Sequence, residues 1–343
     1  MRQSTELISP LIAAAGAVLV CGLIVSVAGY DASAVLYGLM NGALGNANSL
    51  SETLLRTCPL ILTGLAVAVA FRCGIWNIGA EGQFLMGALA AAAIAPVLSE
   101  SPDYIGTPAI LLIGTLAGSL WAGLAGWLKV SRHVQEVIST IMLNFVAIQL
   151  LGYAVHGPLM EASGQFPQTD LLGDGLRLSR LFGSNRVHSG MLLALVCTAS
   201  VWVFLFRTVA GYRIRAVGIN VEAAKSAGVD SRQTVLMAML LSGGLAGLAG
   251  AVEFTGVTYR LYDQFGSGFG YTAIAVALLG RLNPTGILPA ALLFGALAAG
   301  ANGMQREAGV SAVLVYVIQG LILLFVVVAA VYERRRPRRG AGS

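Results

Sequence analysis

Apolar residues run through this chain in long, nearly uncharged blocks rather than at alternating positions. Ten blocks stand out: 7–30, 53–71, 75–98, 108–128, 135–155, 189–207, 234–257, 269–282, 285–303 and 310–332. A helix needs about 20 apolar residues to cross roughly 30 Å of hydrocarbon, and most blocks suffice. Block 269–282 is short, which predicts a broken helix or a re-entrant hairpin with the block after it. The pattern predicts an all-α polytopic membrane protein of about ten transmembrane helices, one or more broken. It forms one transmembrane domain over 1–343, with the bundle at 7–332.

Composition sharpens the class. Hydrophobic residues make up 57% of the chain and charged residues 11%, where a soluble domain carries roughly 25% charged. That balance argues against disorder, nucleic-acid binding and an ordinary soluble enzyme. With the N-terminus inside and ten crossings, inner segments hold 15 of the 21 Lys and Arg residues, five of them in the tail 333–343. The outer side keeps Arg56, Arg177, Arg180, Arg186, Arg260 and Arg306. Basic residues favour the cytoplasmic side, so both termini are expected there. Block 7–30 exceeds the apolar core of a secretory signal and reads as a retained first helix. Cys21, Cys58, Cys73 and Cys197 lack CxxC spacing and read as packing residues.

Two connections are long. The outer segment 156–188 is polar and holds Pro158 and Pro167; it is suited to covering the outer mouth or receiving a partner. The inner segment 208–233 contains a readable helix, Val221 to Ala227. Asn220 suits its N-cap, Glu222 its first turn, and Gly228 the C′ position. Asp230 followed by Gln233 resembles a capping box opening the next helix. Two turns are marginal alone in water. Ile219, Ala223, Ala224 and Ala227 offer a surface for packing on the membrane domain or on a cytosolic partner.

Polar residues inside apolar blocks are candidates for the translocation path, because they are costly in hydrocarbon. Asn77, Glu81 and Gln83 sit among Gly74, Gly79 and Gly82, a combination that interrupts a helix. They line a path, or Asn77 and Glu81 cap a helix starting near 82. Glu136, Thr140 and Asn144 are spaced by four, with Ser139 beside them, so they share a face that should point into the bundle. That face serves a path or interhelical hydrogen bonds. Gln149 and Gln319 read as such glue. Gly114 with Gly118, and Gly243 with Gly247, form small-xxx-small packing faces.

The sequence contains no P-loop, HExxH, metal-spaced Cys/His cluster or GxSxG elbow. His133, His156 and His188 are far apart in sequence. No catalytic residue, cofactor or metal is expected.

Four stretches resemble a known family. Phe71–Ala88 (FRCGIWNIGAEGQFLMGA) resembles the signature of permease subunits of bacterial ABC importers for simple sugars, nucleosides and branched-chain amino acids. Glu136–Phe145 is similar to the nucleoside and simple-sugar branch. Arg215–Gly228 resembles its cytoplasmic coupling segment, and Ala277–Gly286 also fits. The resemblance covers about 50 to 325, with the motifs in the family's order. It implies a multi-pass protein of the bacterial plasma membrane. The expected partners are two ATP-binding subunits carrying the ATPase activity, a second permease chain (homologous or identical), an extracytoplasmic substrate-binding protein and membrane lipid. The coupling segment carries over to Gly218, Asn220, Glu222, Ala223, Ala224 and Gly228. Nucleosides are the first expected substrate and ribose-like sugars the second. An ion-coupled transporter with Glu81 and Glu136 as carriers, and a structural scaffold, are the alternatives.

Overall fold

The computed structural model describes residues 29–181, 185–266 and 268–311, with positions 20, 23, 25–27, 313, 314, 316, 317, 320, 321 and 324. The expected spans 7–30 and 310–332 lie largely outside the described residues, and the tail 333–343, Cys21 and Gln319 lie wholly outside them.

Among the described residues the regular elements are helical. They are α1 (Ala32–Leu44), α2 (Ala47–Arg72), α3 (Ala80–Ile94), α4 (Asp103–Arg132), α5 (Glu136–His156), α6 (Gly190–Arg207), α7 (Val209–Ile219), α8 (Val221–Ser226), α9 (Ser231–Glu253), α10 (Phe269–Leu279) and α11 (Pro284–Ala308). One π-helical turn, Phe254–Thr258, extends α9. Six are long and apolar enough to cross a membrane: α2, α4, α5, α6, α9 with its extension, and α11. The apolar α1, α3 and α10 are shorter. The fold is that of an all-helical, multi-pass membrane protein.

Three local features differ from the apolar-block pattern. Helix α1 falls between blocks; at 13 residues it is too short for that pattern, though the Asp31 carboxylate caps it by accepting Ser33 and Ala34 N–H. Block 75–98 is not one helix, because residues 73–79 are non-helical and α3 starts at Ala80. The 208–233 segment holds α7 as well as α8.

The chain divides into two compact units, 1–53 with 293–343, and 54–292. In the first, α1 lies against the C-terminal half of α11. A methyl on Gly42 would come within 2.8 Å of Gly303 Cα. In the second, the 54–72 part of α2 is buried over most of its length. Leu60, Leu62, Leu65, Ala66 and Ala68 are all buried, as expected of a helix surrounded by others. Helices α3, α4 and α9 meet backbone to backbone. A methyl on Gly87 would overlap the Gly247 carbonyl, and one on Gly118 the Gly243 carbonyl. Hydrocarbon tails are as apolar as leucine, so helices inside a membrane associate largely through such close contact.

The long connection between α5 and α6 is pinned down. Thr169 and Leu172 N–H donate to the Leu261 and Tyr259 carbonyls, both at 2.8 Å, and Leu178 N–H donates to Thr255 at 3.0 Å. The Glu161 carboxylate pairs with Arg260 at 3.0 Å. Hydrogen bonds from Ser163 and Gln168 hold it below the usual carboxylate range. His188 is 2% exposed, and burial pushes its imidazole down to about 4. A cavity of about 280 Å³ remains between this connection and the end of α3 at Ala92, Ala95 and Pro96.

Candidate functional site

Three of the six candidate path residues, Asn77, Glu81 and Gln83, lie at the break between α2 and α3. Asn77 and Gln83 form a reciprocal amide pair: Asn77 Nδ2 donates to Gln83 Oε1 at 3.0 Å, and Gln83 Nε2 donates to Asn77 Oδ1 at 2.9 Å. Asn77 Oδ1 also accepts Gly79 N–H at 2.9 Å. Its Nδ2 donates to Ser242 Oγ on α9 at 2.8 Å, and that hydroxyl donates to the Ala66 carbonyl of α2 at 2.7 Å. Asn144, on α5, grips the break from the other side. Its Oδ1 accepts Gly82 N–H at 2.8 Å, and its Nδ2 donates to the Ile78 carbonyl at 2.9 Å. The first turn of a helix leaves N–H groups without intrahelical partners. Here a side chain 62 residues away takes one of them.

Glu81 serves a different helix. Its Oε2 accepts Gly270 N–H at 2.7 Å, and the N–H groups of Gly268 and Tyr271 donate to the same carboxylate. These residues open α10, whose N-cap Gly268 has φ 76°. Position 270 must be glycine for this approach, since a methyl there would overlap the Glu81 backbone. Phe84 packs on the rings of Phe265 and Phe269, with centroids 5.8 and 5.7 Å apart. Two half-length helices therefore begin at one buried point. Helix α3 runs from it toward the cavity at Ala92, Ala95 and Pro96. Helix α10 runs toward the end of α2, where Arg72 Nε donates to the Leu282 carbonyl at 2.5 Å. Each N-terminus carries partial positive charge, and the Glu81 carboxylate lies between them.

Of the six candidate path residues, Asn77, Glu81, Gln83 and Asn144 meet at this junction. Thr140 lies beside Gly79, but its hydroxyl donates to the Glu136 carbonyl of its own helix at 2.7 Å. Glu136 is about 12 Å from Asn144 along α5, and its carboxylate pairs with Lys129 at 2.5 Å. The alphabet of residue types pointed to the break but not to Ser242 or to Gly268–Tyr271. The Gly266-Ser-Gly-Phe-Gly270 run was the available signal for the latter. Five helices (α2, α3, α5, α9 and α10) and the break itself supply the junction's bonds, so opening it means exchanging them. Among the described residues no three His, Cys, Asp or Glu converge as a metal site.

The candidate coupling segment forms the helix read from its caps. Asn220 Oδ1 accepts Glu222 and Ala223 N–H, both at 3.0 Å. Gly228 has φ 81°, and Val229 N–H returns to the Ala224 carbonyl at 3.0 Å, a Schellman closure. Asp230 caps α9 by accepting Arg232 and Gln233 N–H. Ala224 is buried against its own chain, whereas Ala223 and Ala227 are exposed and Ile219 is 87% exposed. Gly218 lies directly on the Arg72 carbonyl, where a methyl would overlap.

The sequence profile of the branched-chain amino acid transport system permease component family matches residues 49–327. The chain is 36% identical to the guanosine ABC transporter permease protein NupP of Bacillus subtilis, over 95% of this chain and 94% of that one. It is 37% identical to the glucose ABC transporter permease protein TsgB13 of Haloferax volcanii, over 88% and 82%. It is 32% identical to the nucleoside ABC transporter permease protein NupB of Lactococcus lactis, over 99% and 96%.

Proposed function

Since the chain belongs to the branched-chain amino acid transport system permease component family, we propose that this ABC transporter permease carries nucleosides inward across a bacterial plasma membrane. The observation that supports the nucleoside is the end-to-end match to two permeases named for guanosine and nucleosides. The glucose permease match, at 37% identity, favours sugars as the second reading.

The working unit pairs this chain with a second permease chain, two ATP-binding subunits that hold the ATPase activity, and an extracytoplasmic substrate-binding protein. The chain crosses the membrane ten times with both termini cytoplasmic. Helices α3 and α10 account for two of these crossings. The segment Gly218–Gly228 docks on an ATP-binding subunit through exposed Ile219, Glu222 and Ala223. Nucleotide-driven movement of α8 reaches the end of α2 through Gly218 and Arg72, then residues 73–79, then the junction. Asn77, Glu81, Gln83 and Asn144 border the path and change partners as the bundle alternates access. Glu136 and Thr140 belong to the same face of α5, nearer its start.

Uptake in cells lacking this chain, with labelled guanosine and labelled glucose, tests the reading. Guanosine uptake restored by the chain, resistant to a protonophore and lost on ATP depletion, is the expected result. Restored glucose uptake without guanosine uptake transfers the assignment to sugars. Collapse by the protonophore at constant ATP returns it to ion coupling.

A further inference from the structure

The end of α6 gathers cations around aromatic rings. The Arg72 guanidinium carbon lies 5.0 Å from the Phe206 ring centroid, and that of Arg215 lies 5.2 Å from it. Arg207, the next residue, stands 5.6 Å from the Trp202 ring. The charges come from three helices: Arg72 closes α2, Arg207 closes α6, and Arg215 sits on α7. Among the described residues, none of the three pairs with a carboxylate. Arg72 uses its Nε on the Leu282 carbonyl. Arg215 Nε is buried and has no hydrogen-bond partner.

A buried donor without an acceptor is uncommon in a folded protein. Guanidinium groups brought together against one ring repel each other, and a ring quadrupole offsets that only partly. An anion beside the arginines would offset that repulsion and supply the missing acceptor. A phosphate fits, because its oxygens match the planar fork of a guanidinium. The surroundings indicate where that phosphate comes from. The cluster sits at the terminal turn of a membrane-spanning helix. Val209 and Tyr212 next to it are 68% and 59% exposed. Arginine, aromatic rings and exposed apolar side chains at one level mark the headgroup region of a bilayer.

The geometry points to a binding site for the phosphate of an anionic phospholipid, drawn from the leaflet at which α6 ends. Arg72 and Arg215 hold the phosphate over Phe206, and Arg207 adds charge at its edge. Val209 and Tyr212 meet the acyl chains. Because α7 leads directly into α8, a bound lipid braces the segment that carries α8.

The test uses the purified full-length chain and native mass spectrometry, with phosphatidylglycerol and phosphatidylcholine of identical acyl chains as probes. Saturable binding with preference for phosphatidylglycerol is expected. Arg72→Gln with Arg215→Gln should weaken phosphatidylglycerol roughly thirtyfold, from about one surface-charge contribution per arginine. Arg213→Gln, on an exposed position of α7, should change it less than threefold. Equal binding of the two lipids by the unaltered chain overturns the proposal without reliance on any variant. So does a double variant that keeps its lipid preference but no longer co-purifies with the ATP-binding subunit, which assigns the arginines to that subunit's carboxylates. Displacement of phosphatidylglycerol by equimolar inorganic phosphate makes this a soluble-anion site and overturns the lipid assignment.

Discussion

Replacing Glu81 with leucine removes the side chain that accepts N–H groups from the first turn of α10. Gly270 N–H, at 2.7 Å from the carboxylate, and the N–H groups of Gly268 and Tyr271 then lose their partner. A buried N–H without an acceptor costs about 1–3 kcal/mol, so three lose roughly 3–9 kcal/mol together. Loss of the charge between two helix N-termini adds up to about 2 kcal/mol. Relief from burying a carboxylate, several kcal/mol, works in the opposite direction. A net loss of about 3 kcal/mol is expected, and it should be local to α10. Hydrogen exchange followed by mass spectrometry reads it. Amides of the peptide covering 268–272 should exchange on the order of a hundredfold faster in Glu81→Leu, with α4 and α9 unchanged. Glu81→Gln keeps one oxygen acceptor and should fall between the two, retaining measurable uptake. Unaltered exchange at 268–272 in Glu81→Leu would refute the capping argument. Complete loss of uptake in Glu81→Gln, with exchange normal, would mean that the charge itself is carried or sensed.

Asn144→Leu leaves Gly82 N–H and the Ile78 carbonyl unpaired, about 2–6 kcal/mol, and should cut uptake more than Ile141→Leu at equal protein abundance; equal uptake in the two variants would count against the junction. Ala223→Arg adds a charge on the exposed side of α8 and should release the ATP-binding subunit during co-purification while the chain still inserts; Ala224→Arg, at a buried position, should instead loosen α8, seen as faster exchange of its amides. The connection between α5 and α6 should respond to acid. The folded-state value of His188, about 4, lies below the ordinary 6.5, so the unfolded form binds more protons between them. Stability from this group is therefore full above about pH 6.5 and is lost as pH falls toward 4, at most about 3 kcal/mol. Limited proteolysis of the 157–189 segment from pH 7 to 4 measures this, and His188→Phe should flatten the dependence.

Features set by nearest neighbours in sequence were legible beforehand. The caps of α8 are one such case, because Asn220 and Gly228 act on backbone groups within a few residues of themselves. The break before α3 was another, since Gly74, Gly79 and Gly82 disfavour a continuous helix. The partners of Glu81 and Asn77 were not legible. They lie 189 and 165 residues away, and no local rule reaches that far. Ala224 illustrates a different limit. Its inward orientation depends on which side of α8 meets the bundle, and alanines on both sides give the pattern no contrast. Helix α1 was passed over because a search for membrane-length blocks discards a 13-residue helix however well capped.

The contact between Gly218 and Arg72 has a mechanical consequence. Most helix pairs are separated by side chains that change rotamer when one helix shifts, and such a layer absorbs small displacements. Here the α7 backbone rests on the last carbonyl of α2 with no side chain between. The joint therefore has almost no play. A shift of α7 by a fraction of an ångström must either tear this contact or carry residues 72–74 with it. Those residues lead straight into the non-helical stretch, where the chain has no regular hydrogen-bond ladder to resist bending. Stiffness is followed at once by compliance, so under the proposed coupling a displacement of α7 would reach the stretch before α3 with little loss.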